Sequence, residues 1–147
     1  MHPSAPLTRE EAADLLRRHG ITPTYQRLEI AHALFSRRQH LSADQILAVV
    51  NLRHSETSRA TVYNTLKLFL EKGLIREVIV DPAKVFYDPN TKPHHHYYNL
   101  VTGELIDIDA EDMQVTGLPP APAGMVAERV DVIIRIRPKE TATARPS

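Results

Sequence analysis

Three consecutive histidines, His94-His95-His96, are the residues of this chain best suited to chemistry. In an extended segment side chains alternate between faces, so His94 and His96 share one face and His95 takes the other. Two imidazoles on one strand face can hold one divalent ion, with Zn–N bonds of about 2.0–2.1 Å. Such an ion needs further donors. Asp88 before the triplet and Asp107 after it offer oxygen, and His40 offers another nitrogen. Mixed imidazole and carboxylate donors suit zinc, manganese, iron(II) or cobalt. The competing reading is a surface histidine run with no shared ion, and spacing alone does not decide between them.

A second set lies on a segment of helical period. Arg59, Tyr63 and Lys67 recur every four residues, opposite Val62, Leu66 and Phe69, with Asn64 beside them. Arg and Lys can hold phosphate or guanine, Asn can read adenine, and Tyr can bond phosphate or touch a thymine methyl. A helix that follows a turn and carries these groups suits duplex recognition. Its competitor is an ordinary solvated helix face.

These groups need elements to hold them. Thr8 with Glu11, and Ser42 with Gln45, form capping boxes ahead of helical runs. Thr22-Pro23-Thr24 opens another helix, and Ser58 opens the one bearing Arg59, which Gly73 ends as a C-cap. Two β-type runs follow, residues 74–80 and 85–87, turning at Asp81-Pro82. Three or four helices and then a hairpin is the layout of a winged helix. Beyond it the period changes. Residues 95–101 and 104–108 read as strands joined by Thr102-Gly103. Residues 110–118 read as a short helix, and residues 126–137 as a strand with Val130, Val132, Ile134 and Ile136 on one buried face. Leu118 to Gly124 is a Pro-rich loop. The predicted class is α+β: a DNA-binding winged helix over 1–90, a small α/β dimerisation and metal-sensing domain over 91–140, and a flexible tail over 141–147. Three strands and one short helix make a thin unit, so a homodimer is expected.

The chain has 147 residues, enough for a core in one domain or two small ones. It is 42% hydrophobic and 24% charged, which argues against disorder throughout. No apolar run approaches the ~18 residues of a membrane helix, and the first residues lack an apolar signal core, so a cytoplasmic protein is expected. The absence of cysteine excludes disulfides, thiolate-bound zinc, iron–sulfur clusters and a thiol nucleophile. Net charge is zero, yet residues 1–92 hold 13 Lys+Arg against 10 Asp+Glu and the remainder 5 against 8. Asp88-Pro89-Asn90-Thr91-Lys92-Pro93 between them is rich in turn formers and reads as a hinge.

Four motifs in order give a resemblance. They are Thr22-Pro23-Thr24-Tyr25-Gln26-Arg27, then His40-Leu41-Ser42-Ala43-Asp44, then Ser58-Arg59-Ala60-Thr61-Val62-Tyr63-Asn64-Thr65-Leu66, and last His94-x-His96 with Gly103-Glu104-Leu105-Ile106-Asp107. Together they resemble the ferric uptake regulator (Fur) family across residues 10–137. Val85-Phe86-Tyr87-Asp88, the triple histidine followed by Tyr97-Tyr98, and the cysteine-free ending are most similar to its iron response regulator (Irr) branch. The resemblance implies a winged helix, a dimerisation domain and a regulatory metal site at the hinge. It puts the metal ligands on His40, Asp88, His94, His96 and Asp107, with Asp88 one place later than the acid of many relatives. It implies DNA contacts from Arg59 and Tyr63; Arg27, Asn64 and Lys67 complete the expected DNA-binding set. His95 is a candidate ligand for haem or a second metal, since haem sensing is associated with the branch. The family's zinc site of two CxxC pairs is absent, so packing and strand pairing must hold the dimer.

The expected function is a metal-responsive, iron- or haem-linked transcription regulator. It would bind a palindromic or pseudo-palindromic operator with Fe2+, Mn2+ or Zn2+ as effector, and would not be an enzyme. The alternatives are a peroxide sensor, in which peroxide activated by bound iron(II) oxidises a nearby histidine, and a zinc- or manganese-sensing repressor. A metalloenzyme is remote, because no acid or base pairs obviously with the cluster.

Overall fold

The computed structural model describes residues 7–36, 40–52 and 56–140. The tail expected over 141–147 lies outside them. The chain divides into two compact units, Met1–Lys92 and Pro93–Ser147.

The first unit holds four helices, α1 (Arg9–Arg18), α2 (Tyr25–Phe35), α3 (Ala43–Asn51) and α4 (Arg59–Glu71), then strands β1 (Arg76–Asp81) and β2 (Lys84–Asp88). Each helix starts where a hydroxyl can accept an orphan amide. Thr8 and Ser42 form reciprocal capping boxes with Glu11 and Gln45, while Thr24 and Ser58 accept from Arg27 and Thr61. The capping bond at Thr8 holds the exposed Glu11 carboxyl below its ordinary pKa. After α4, Gly73 takes φ +73°, and Leu74 N–H returns to the Phe69 carbonyl at 3.0 Å. A side chain would be strained in that left-handed turn. Leu16, Ile30, Leu34, Ile46, Leu66 and Phe69 interlock at the centre. Burying each such side chain contributes about 1.5–3 kcal/mol. Arg9 ties α1 to α2: its guanidinium pairs with the buried Glu29 carboxylate and lies 5.1 Å over the Tyr25 ring.

β1 and β2 pair antiparallel from Arg76↔Asp88 to Asp81↔Lys84. The turn is fixed by Asp81, whose Oδ1 accepts the Ala83 N–H at 2.8 Å. An isolated bridge joins Leu41 to Tyr87, with Tyr87 N–H donating to the Leu41 carbonyl at 2.9 Å.

The second unit is a three-stranded sheet in the order β4-β3-β5: β3 (His95–Asn99), β4 (Leu105–Ile108) and β5 (Ile133–Ile136). β3 pairs antiparallel with β4 and parallel with β5. In the β3–β4 connection, Asn99 Oδ1 accepts from Val101 and Thr102, and Gly103 takes φ +75°. Both strands are shorter than the patterns over 95–101 and 104–108 predict, because that turn uses the end of one and the start of the other.

Two expectations need correction. Residues 110–118 form only a 3-10 turn, Ala110–Asp112. Asp109 gives it no side-chain cap and Met113 is extended at φ −151°, so the costly first helical turn is never propagated. The alternating run over 126–137 forms a strand only at Ile133–Ile136, because β3 offers it a four-residue register, His96↔Ile133 to Asn99↔Ile136. Nor is its apolar face buried, with Val130 and Ile134 each 37% exposed. Among the described residues no helix is long and apolar enough to cross a membrane.

Candidate metal centre and nucleic-acid face

Each unit carries its own group of donors. In the first, the Leu41–Tyr87 bridge puts the residues on either side of it opposite one another, and these are His40 and Asp88. Both are buried. His40 Nδ1 stands 3.5 Å from Asp88 Oδ1. The same carboxylate oxygen accepts the Asn90 N–H at 2.9 Å, and Asn90 Oδ1 accepts the Lys92 N–H at 3.1 Å. The turn-rich segment therefore fixes the Asp88 carboxylate through its own backbone.

In the second unit, His96 on β3 lies across from Asp107 on β4, and His94 precedes β3 on the same face. Both Nε2 atoms stand 3.3 Å from Asp107 Oδ1. The two rings are 4.5 Å apart and tilted by 59°. Both histidines are buried and Asp107 is half-buried.

These separations suit donors that share one ion. A charge-assisted N–H···O bond closes to about 2.7–2.9 Å. Two ligand atoms of a tetrahedral ion, each at about 2.0–2.1 Å, stand about 3.3 Å apart. The 3.3 and 3.5 Å spacings match the edges of a coordination polyhedron. Imidazole nitrogen with carboxylate oxygen is also the donor chemistry that iron(II), manganese and zinc share. The residues present therefore fit a divalent cation.

His95 differs from its neighbours. Its Nδ1 accepts the Val132 N–H at 3.0 Å. In a neutral ring with Nδ1 accepting, the proton sits on Nε2, which then has no lone pair for iron. While this bond holds, His95 serves as a structural link between β3 and the approach to β5.

The expected DNA-binding residues divide by environment. On α4, Val62, Thr65, Leu66 and Phe69 are buried, while Arg59, Tyr63, Asn64 and Lys67 are exposed. The face opposite the core thus carries the polar set that the sequence spacing predicts. Tyr63 lies close enough to the Tyr87 phenol to help raise its pKa, after burial and Glu77. Arg27, in the first turn of α2, turns its guanidinium back to the Thr22 carbonyl at 2.8 Å. Sequence reasoning missed the partner of Arg59, which is Asp44 in the first turn of α3. The only available signal was an acid placed at a helix N-terminus.

Comparison with known proteins places this architecture. The model of the ferric uptake regulator family matches residues 18–119. A peroxide-responsive repressor, PerR, of Staphylococcus epidermidis is 32% identical over 98 residues, which are 67% of this chain and 65% of that protein. The PerR of Staphylococcus aureus strain Mu50 is 33% identical over 98 residues, 67% of this chain and 66% of its own. The alignment thus spans about two thirds of these relatives' length. In fold, the chain is similar to the Helicobacter pylori ferric uptake regulator, with a TM-score of 0.63 at 18% identity, covering 91% of this chain and 95% of that one. It is also similar to a zinc-bound manganese uptake regulator, with a TM-score of 0.66 at 21% identity over 87% and 98%. With the motifs and the donor geometry already in place, the match over residues 18–119 settles the lineage: this chain belongs to the ferric uptake regulator family.

Proposed function

We propose that this protein is a metal-responsive repressor that binds duplex DNA as a homodimer. The observation that carries the reading is the convergence of two buried imidazole Nε2 atoms on one carboxylate oxygen, each at 3.3 Å. In this reading His40 and Asp88 join His94, His96 and Asp107 around one divalent cation. Iron(II), manganese and zinc are the effectors that the donor types favour. These residues would hold the cation, and it would supply a link between a DNA-binding domain over 1–90 and a dimerisation domain over 91–140.

The winged-helix domain presents α4 to the major groove, with Tyr63, Asn64 and Lys67 facing base edges and phosphates. Arg59 adds a fork of donors at the start of that helix, and Arg27 supports the loop ahead of α2. A twofold dimer places two such helices on the half-sites of a palindromic or pseudo-palindromic operator. A cation that prefers one arrangement of the domains then changes duplex affinity, and duplex changes cation affinity by the same factor. The protein performs no catalysis and acts in the cytoplasm.

The cysteine-free ending, Val85-Phe86-Tyr87-Asp88 and the triple histidine favour an iron-homeostasis regulator of the Irr branch. A haem response through His95 would need the His95–Val132 bond to open first. The experiment is a gel shift on promoters upstream of iron or haem genes, comparing Mn2+ or Fe2+, chelator and haem. Retardation that depends on the effector supports the proposal; equal retardation under all conditions contradicts it.

A second reading draws on the curated relatives, which are peroxide-responsive repressors. Iron(II) on these ligands would make His40 or His94 the target of oxidation. A +16 Da adduct on either histidine after peroxide supports that reading, and unmodified peptides oppose it.

A further inference from the structure

Arg59 opens α4 and Asp44 lies in the first turn of α3, and the two side chains form an ion pair across fifteen residues of sequence. Both are well exposed, at 61% and 67% of their side-chain surface. An exposed pair of this kind adds little to stability. Its consequence lies in what it does to the charge on the recognition helix. Lys67, two turns along the same face, has no carboxylate partner among the described residues.

We propose that Asp44 is a specificity-determining residue, an internal counter-anion that makes Arg59 discriminate against phosphate and in favour of neutral base edges. The inference rests on the reading that α4 faces duplex DNA.

Generic duplex binding is driven by neutralising phosphates, and each cation so used steepens the salt dependence. A guanidinium already paired with a carboxylate brings no net charge to that contact. A phosphate that engages it must displace Asp44 or lie beside a second anion. A guanine edge offers neutral O6 and N7 acceptors, so it meets no such repulsion. The pairing uses the Nη1 end of Arg59. A guanidinium carries five donors in a rigid fork, so donors remain for a base while the carboxylate fixes the plane. Specificity built on a repulsive element lowers the wrong affinity more than it raises the right one.

The location supports the arrangement electrostatically. A helix N-terminus favours an anion and disfavours a cation. Asp44 at the start of α3 is therefore well placed, whereas Arg59 at the start of α4 gains from an anion beside it.

The test uses the full chain, with and without Mn2+, and two duplexes: one selected by the wild-type protein from a random library, and its scrambled counterpart. Asp44→Asn keeps the shape and a hydrogen bond to Arg59 but removes the charge. Affinity for the scrambled duplex should rise about fivefold, with the log–log salt slope steeper by about 0.9, one phosphate's worth. Affinity for the selected duplex should change less, so discrimination falls. In an Arg59→Ala background, Asp44→Asn should change nothing. Asp14→Asn, an exposed acid on α1, controls for net charge and should leave both duplexes unaffected. The inference is overturned if Asp44→Asn shifts both duplexes equally, leaves the scrambled one unmoved, or acts the same without Arg59. If wild-type protein retains no duplex from the library, the DNA-binding reading falls and this inference with it. Retention with Asp44→Asn silent overturns this inference alone.

Discussion

In the first unit, apolar side chains from four helices and a hairpin close on one another. In the second, Tyr98, Leu105 and Ile108 are the only buried apolar residues among those described. The second unit instead exposes a row across its sheet. Tyr97 on β3 stands opposite Ile106 on β4 and beside Ile134 on β5, and each is 36–37% exposed. A helical unit that fills its own centre can fold by its own packing. A three-stranded sheet with an apolar row in water calls for cover. A second copy of the chain is the cover that the proposed function supplies.

That contrast gives its largest expected effect at the sheet. Replacing Tyr97 and Ile134 together by Asp should convert a dimer to a monomer in sedimentation velocity. The helical far-ultraviolet signal should stay, because α1–α4 pack on a core built from the first unit's own residues. An unchanged mass would show that the row is not the interface.

Next come the donors. His96→Ala should weaken Mn2+ binding by more than about tenfold, the scale on which even supporting residues of metal sites act. His95→Ala should leave that affinity near wild type, since its Nδ1 is engaged by the Val132 backbone. Equal losses in a calorimetric titration would contradict the assignment of adjacent histidines to different tasks.

On the DNA face, Tyr63→Ala should cost about 1–3 kcal/mol of operator binding, the range for one side chain reading a base. Lys67→Gln should weaken all duplexes alike and make the salt slope shallower by about one. Fluorescence anisotropy across a salt series separates the two patterns.

The smallest effects are local. Ser42→Ala should lower stability by about 1 kcal/mol through loss of the α3 cap, read by urea denaturation. Glu11 has a folded pKa below its ordinary value of 4.5, so its contribution is present above that value and fades as pH falls below it. Glu11→Gln should flatten that part of the stability–pH curve, and an unchanged slope would show that the Glu11 charge contributes nothing there.

The starts of the helices were legible because they are local. Thr8 with Glu11, Ser42 with Gln45, and Ser58 each satisfy their own amides within three residues. The exposed set on α4 was legible from its period. Residues 110–118 and 126–137 misled for one shared reason: a helix needs propagation and a strand needs a neighbour, and neither is written in a pattern. The donor groups were legible in type, and the family resemblance supplied their grouping. Their geometry depends on the Leu41–Tyr87 bridge and the β3–β4 register, which join distant segments. The Asp44–Arg59 pair was invisible for the same reason, being a contact between two helix starts.

The most direct test is the affinity of the wild-type protein for its library-selected duplex in Mn2+ and in chelator, measured beside His40→Ala. The metal should change wild-type affinity by tenfold or more, the scale of about 1.4 kcal/mol of coupling, and His40→Ala should bind identically in both buffers. Wild-type affinity that is the same with metal and with chelator would contradict that coupling.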